Sequence, residues 1–517
     1  MAKSQVRTGA VLSYINMAIG SLVPMFYTPV MLDLLGQSEY GLYKLATSVT
    51  SYLGLISFGI GSAVVRYLTK YRAEGNKEGE EGVFALFNVI FMVISAIALV
   101  AGIVISFCLN LIYGNSLTEP GQLDEMRVLV IILSATTALS FLCTPYNSVV
   151  TSHERFIFLQ GINILLTVIS PLVSLLVLFL GYKSIGMVTA GLVINIIVRV
   201  VYWIYVKRYI KITPNYHSMP KWLLKEILTF SFWVFVSNVV NQLYNSTDTL
   251  IIGAVPKLAT MGVAIYNIGV TFTSMMHSFS IGILSVLTPK VNMLVFGGKD
   301  NAELTDLMIR VGRLQCYIVT LVCSGFIVFG AEFINLWAGN GYQEAYWVAL
   351  VTIIPSCIPL IQNVALNVIV AQNRHRFRSL MFLFIALINV VGTIICVNTY
   401  GIIGAAVVTG AANILGTGII MNWYYWKRIG LEIPRFWKSL LKMFIIPAIL
   451  CILFLILKQF ITIDRWIVML VLIVIYSIIF IVLNWLFVMN DYEKDIFIGP
   501  IKRIGAKLKR GRNNEHN

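Results

Sequence analysis

The chain has 517 residues, of which 58% are hydrophobic and 12% charged, with a formal net charge of +15. Soluble domains carry roughly 25% charged residues, so this composition, at a mean hydropathy of +0.84, excludes a string of soluble domains. An all-α membrane protein with little soluble mass is expected.

Uncharged apolar stretches recur from residue 9 to residue 489, and a helix needs about 20 such residues to cross a bilayer. They predict fourteen spans, at 9–35, 41–68, 83–113, 127–150, 156–181, 184–207, 226–253, 260–288, 312–338, 345–371, 379–398, 402–426, 439–458 and 466–489. Span one follows Met1-Ala2-Lys3 without a small-residue cleavage site, so it reads as a spanning helix and not as a removed signal. All seven cysteines lie in apolar stretches without CxxC spacing, which argues against disulfides and metal sites. Gly297-Gly298-Lys299-Asp300 lacks the upstream glycine and the Ser/Thr of a phosphate-binding loop, so direct ATP drive is not expected.

With both termini cytoplasmic, 31 of the 38 Lys and Arg residues fall on the inner side and 5 on the outer side, while Lys44 and Arg199 lie within spans. That is the positive-inside bias of a multi-pass protein, here of a bacterial inner membrane. It accounts for the net charge, so no nucleic-acid partner is expected. Outer loops are short, the longest at 114–126, and leave no room for a soluble catalytic domain. The chain therefore reads as a non-enzyme.

An internal repeat organises the spans. Ser152-His153-Glu154-Arg155-Phe156 leads into spans five and six, and Asn373-Arg374-His375-Arg376-Phe377 leads into spans eleven and twelve. Gly186 and Asn195 recur as Gly404 and Asn413 at a shared offset of 218, and both pairs leave through aromatics and a dibasic step, Lys207-Arg208 and Lys427-Arg428. Two parallel six-helix lobes follow, at 1–210 and 226–428, joined by a cytoplasmic linker at 211–225. Two additional helices at 439–489 and a basic tail at 490–517 complete the chain. In such carriers substrate binds between the lobes near mid-membrane. The tail spaces Ile501, Ile504 and Leu508 helically among Lys and Arg, which suits either an anionic membrane surface or solvent.

Leu35-Gly36-Gln37-Ser38-Glu39-Tyr40-Gly41-Leu42-Tyr43, followed by Gly59-Ile60-Gly61-Ser62-Ala63-Val64-Val65-Arg66-Tyr67, resembles the polysaccharide-biosynthesis (Wzx-type) flippases. That family belongs to a superfamily shared with multidrug-and-toxin extruders and lipid II flippases. Locally, Gly36 is suited to ending span one, and Ser38 to capping span two with Glu39 in its first turn. A well-formed turn alone would also explain the stretch. The resemblance implies a two-lobe carrier that moves an undecaprenyl-pyrophosphate-linked oligosaccharide (for O-antigen, capsule or exopolysaccharide) to the outer leaflet by alternating access. It implies membrane lipids, a polysaccharide polymerase and a chain-length regulator as partners.

Polar side chains inside spans are costly and face partners or water. Span seven places Asn238, Asn241, Asn245 and Asp248 on one stripe, span eight carries Asn267, Thr271, Ser274 and His277 on one face, and span one carries Ser13, Asn16, Gly20 and Tyr27. Interhelical hydrogen bonding, worth about 0.6 kcal/mol per contact, competes with a wet pathway wall for each Ser, Thr or Asn. Lys44, Arg66 and Arg199 are candidate cationic partners for a pyrophosphate, against snorkelling or ordinary inner-side charge. Asp248, His277 and Glu332 are candidate carriers of a coupling proton or sodium ion, although Glu332 also fits simple interfacial exposure. No other cofactor is expected. Competing readings are a lipid II flippase, a drug/cation antiporter of the same superfamily, and, more distantly, a membrane-embedded polymerase or ligase.

Overall fold

A computed structural model describes residues 2–220, 222–285, 293, 297, 300–372 and 374–495. Among them every regular element is helical and no strand occurs. In chain order the α-helices of eight residues or more are α1 (Ala2–Leu35), α2 (Gln37–Ser51), α3 (Ile60–Ala73), α4 (Lys77–Tyr113), α5 (Gln122–Ser152), α6 (Phe156–Phe179), α7 (Lys183–Tyr205), α8 (Leu223–Ala254) and α9 (Ala259–Ser285). After them come α10 (Asn301–Ala338), α11 (Glu344–Ile361), α12 (Asn363–Ala371), α13 (His375–Asn413), α14 (Ile433–Leu440), α15 (Ile445–Leu457) and α16 (Trp466–Phe487).

Among the described residues, eleven helices are long and apolar enough to span a bilayer, or twelve when the two parts of α8, bent by 40°, are taken as one. Two places account for the difference from fourteen. The predicted span 260–288 is not among those counted, and its end lies outside the described residues, which stop at Ser285 on α9. The run Arg376–Ile429 counts once at 54 residues, yet a straight helix of that length would be about 80 Å long, far more than a hydrocarbon core of about 30 Å. It breaks at Gly401 (φ 63°, ψ −148°), a conformation open to glycine.

The ends of the helices follow from local chemistry. Gly36, at φ 76°, lets α1 stop and α2 start with a single residue between them. Ser38 is not the cap expected of it. Gly36 takes the N-cap position without a side-chain bond, and the Ser38 hydroxyl turns to other helices. Asn76 does cap α4, accepting from the Gly79 N–H at 2.8 Å.

Equivalent turns recur along the chain. The Arg155 N–H reaches the Val150 carbonyl at 3.1 Å, and the Arg374 N–H reaches the Ile369 carbonyl at 2.9 Å. Downstream, π-turns at Val206–Ile210 and Tyr425–Ile429 end in left-handed Lys211 (φ 61°) and Gly430 (φ 86°). These pairs are offset by 219, one more than Gly186 and Gly404. The π-helix Ile414–Ile420 lies between Gly404 and the second of these π-turns. Its i→i+5 bonds enclose one extra residue per turn, which accounts for the step downstream.

The chain divides into two compact units, interleaved in sequence. One comprises Met1–Ser278, Ala338–Thr352 and His375–Gly416. One of its buried clusters is rich in aromatics, with Tyr67, Phe84, Phe87, Phe91 and Tyr202. A second joins Leu42, Leu45 and Ala46 of α2 and Leu109 of α4 to Ile252, Val263, Val348 and Ile402. The other unit comprises Phe279–Trp337, Ile353–Arg374 and Thr417–Asn517. There Val328 and Phe329 of α10 pack with Leu450 and Phe454 of α15 and Tyr476 and Phe480 of α16. The Tyr476 hydroxyl donates to Ser324 Oγ at 2.6 Å. Beyond α16, Glu493 receives Arg313 Nε at 2.5 Å and the Tyr317 hydroxyl at 3.0 Å. Of the tail, residues 496–517 lie outside the described residues, including the spaced Ile501, Ile504 and Leu508.

Candidate functional site

A cavity of about 260 Å³ opens in the first unit among Gly20, Ser21 and Pro24 of α1, Lys44 of α2, and Asn267, Val270, Thr271, Ser274, Met275 and Ser278 of α9. Helical spacing explains the wall on α9, because positions 267, 271, 274 and 278 stack on one face. On α1, Pro24 has no N–H to bond the Gly20 carbonyl, so a backbone acceptor is freed within the helix at the cavity wall. Lys44 is the charged residue of this lining among the described residues. Its Nζ sits 5.4 Å from the Tyr40 ring centroid and 5.9 Å from that of Tyr43, a cation–π environment that leaves its hydrogen-bond donors for other partners.

Asn267 and Ser274, expected on the pathway, are therefore brought together with Lys44. Asn267 Nδ2 donates to Thr249 Oγ1 at 3.2 Å and to the Val263 carbonyl at 2.9 Å. Ser274 is exposed, its hydroxyl bonded back to the Val270 carbonyl at 3.1 Å. His277 is half-buried one residue from Ser278 and is not part of the lining.

The stripe on α8 divides along its length. Asn241 and Asn245 are exposed, and Asn245 Nδ2 donates to the Asn241 carbonyl at 2.8 Å; Asn238 is half-buried. Asp248 is only 3% exposed. Its Oδ2 receives the Tyr266 hydroxyl at 2.5 Å and the Thr409 hydroxyl at 2.6 Å, while Oδ1 receives the Thr393 hydroxyl at 3.1 Å. Thr409 Oγ1 also lies 3.2 Å from Asn389 Oδ1, and Asn389 is buried with its Nδ2 unpartnered. No Lys or Arg pairs with Asp248 among the described residues. An isolated buried carboxylate is costly unless neutralised or bonded. A cage of carboxylate, hydroxyl and amide oxygens meets that need and suits a proton or a small hard cation.

The other candidates are not among the residues lining the cavity or bonded to Asp248. Arg66 is exposed with its guanidinium 5.7 Å from the Tyr67 ring centroid. Arg199 is half-buried, 5.5 Å from the Tyr146 ring centroid, with Nη1 buried and unpartnered. Glu332, in the second unit, forms a 2.6 Å ion pair with Lys458. Among the described residues no group of three or more His, Cys, Asp or Glu side chains forms a metal site.

Sequence reasoning missed Tyr266, Asn389, Thr393 and Thr409. Asn389 and Thr393 are four apart and share a helix face, which was readable. Their convergence depends on the break at Gly401, which brings Thr393 and Thr409 of one run to the Asp248 carboxylate, with Asn389 beside Thr409.

Residues 30–347 match the family described as polysaccharide biosynthesis protein. The chain belongs to that family. Its fold is shared with solved transporters of low sequence identity. It is similar to the lipid II flippase MurJ in an inward closed conformation (15% identity, TM-score 0.70, covering 96% of this chain and 99% of that one). It is also similar to a multidrug resistance MATE family transporter of the MOP superfamily in an inward-facing conformation (13%, 0.62, 85% and 99%). A MOP superfamily transporter from Pyrococcus furiosus, noted for the reverse polarity of its binding pocket, aligns at 14% and 0.56, covering 80% and 94%. No curated protein sequence matches the chain. As a polysaccharide biosynthesis protein with eleven or twelve candidate spans among the described residues, the chain is a multi-pass membrane protein that shares the fold of these transporters.

Proposed function

We propose that this chain flips a lipid-linked oligosaccharide. Its cargo is a repeat unit on undecaprenyl pyrophosphate, made for O-antigen, capsule or exopolysaccharide, and moved from the cytoplasmic to the outer leaflet of a bacterial inner membrane. The observation that carries this reading is the polar cavity whose charged lining residue, among the described residues, is Lys44. A cation beside hydroxyl and amide groups complements a sugar-pyrophosphate head. The head crosses through a polar slot while the polyprenyl chain stays in lipid, so hydrated phosphates never meet hydrocarbon.

The architecture is fourteen spans with both termini cytoplasmic, arranged as two six-helix lobes plus two helices. The inner-side excess of Lys and Arg and the recurrence of the π-ended turns support it. Exporting two negative charges against an interior-negative potential is favourable by about 2.3 kcal/mol per charge per 100 mV. In this reading the Asp248 cage takes up a proton or sodium ion chiefly to reset the carrier. Membrane lipids surround it, and a polymerase and chain-length regulator take the product.

A lipid II flippase presents the same pyrophosphate chemistry, and the likeness to MurJ favours it as the second reading. A cation antiporter calls for acidic cavity walls, whereas the charge on this wall is Lys44. The test is complementation of a strain lacking the gene, scored for surface polysaccharide and for survival without a native lipid II flippase. Restored polysaccharide supports the reading. Restored survival with no polysaccharide would transfer the protein to lipid II.

A further inference from the structure

We infer that the signature stretch beginning at Gln37 is a latch that closes the outer end of the cavity and must part in each transport cycle. The inference rests on the orientation proposed above, which puts the start of α2 and of α9 on the outer side.

Contacts of three residues carry it, all within the first unit. Ser38 Oγ lies 3.0 Å from Thr260 Oγ1 at the start of α9 and accepts from Gln122 Nε2, the first residue of α5, at 2.8 Å. Gln37 Nε2 donates to the Gly341 carbonyl at 3.2 Å. Gly41 packs so closely that a Cβ there would overlap the Thr260 carbonyl oxygen, so only glycine lets these backbones meet. Below them Leu42, Leu45 and Ala46 are sealed against Ile252 and Val263.

The third residue of the stretch points the other way. Glu39 accepts the Ser184 N–H at 2.8 Å and pairs with Lys183 at 3.1 Å, both at the start of α7. The charged bond thus ties α2 to its own lobe, whereas the bonds reaching α9 and the Gly341 loop are neutral. Neutral hydrogen bonds exchange readily for water and bind less strongly than charged ones, as a seam that opens repeatedly requires. The Ser-Glu-Tyr-Gly order therefore has a division of labour: Glu39 anchors, while Ser38 and Gly41 close.

The test uses the full chain in cells. Oγ atoms 3.0 Å apart put the two Cβ atoms within disulfide reach. The double variant Ser38→Cys/Thr260→Cys is expected to cross-link on oxidation, to stop exporting polysaccharide, and to recover on reduction, while each single variant is indifferent to oxidant. Separately, Gly41→Val in a Ser274→Cys background is expected to raise labelling at position 274 by a membrane-impermeant thiol reagent in spheroplasts about tenfold. A cross-linked double variant with undiminished export, no cross-link, or unchanged labelling at position 274 would each overturn the latch. Labelling is blind to the cargo. A labelling change with no effect on polysaccharide would keep the latch and remove the flippase reading.

Discussion

The Tyr266 hydroxyl donates to Asp248 Oδ2 at 2.5 Å, joining α9 to α8 at a carboxylate 3% exposed. Tyr266, Thr393 and Thr409 supply hydroxyl donors to this acid, and no basic side chain among the described residues neutralises it.

If Asp248 takes up the coupling ion, Asp248→Asn should retain the shape and most hydrogen bonds yet lose the exchangeable charge. Surface polysaccharide should fall at least about tenfold at unchanged membrane abundance, whereas Tyr266→Phe, which removes one donor, should cost severalfold at most. Wild-type export by Asp248→Asn would remove the residue from coupling.

Lys44 lies in the cavity with Asn267, Thr271 and Ser274, and no carboxylate lines that cavity among the described residues. Export should survive Lys44→Arg and fall about tenfold or more in Lys44→Gln, the loss expected for one charge-assisted bond to phosphate. Equal export by the two variants would show that the charge is not used.

Much of this site was legible in the sequence. Polar positions repeating every three or four residues on an otherwise apolar helix identify the α9 wall, and a lysine inside α2 stands out by cost alone. The cluster around Asp248 was not, because two of its members follow the buried apolar pattern of α13 and meet the acid only after the chain turns at Gly401. Ser38 misled for a related reason. Next to a helix start a serine reads as a cap, and nothing local announces that a hydroxyl on α9 lies 3.0 Å away.

Glu332 gives a contrasting case. Its 2.6 Å pair with Lys458 is about a quarter exposed on each side. Pairs of that exposure contribute up to about 1 kcal/mol. Glu332→Gln should therefore lower the melting temperature slightly and leave export within about twofold of wild type. Loss of export in a stable Glu332→Gln protein would assign it an ion-carrying role instead.

The Arg313–Glu493 pair makes acid stability measurable. Burial alone would raise the Glu493 carboxyl, but Arg313, the Asn490 backbone N–H and Tyr317 hold it below the ordinary carboxylate range. A depressed carboxyl stabilises the fold above its unfolded value, about 4.3, and the gain disappears as pH falls through the lower folded value. Detergent-solubilised protein should lose melting temperature as pH falls from about 4.3 through the lower folded value, and Glu493→Gln should abolish this acid-dependent component while being less stable near neutrality. An identical acid profile in Glu493→Gln would contradict the assignment.

Flipping itself is measurable with purified protein in lipid vesicles loaded with a fluorescent undecaprenyl-pyrophosphate oligosaccharide, its transfer between leaflets read by a membrane-impermeant quencher. The wild type should transfer the glycolipid, Lys44→Gln should slow the transfer, and Lys44→Arg should not. Vesicles that transport small organic cations while leaving the glycolipid in its original leaflet would contradict it.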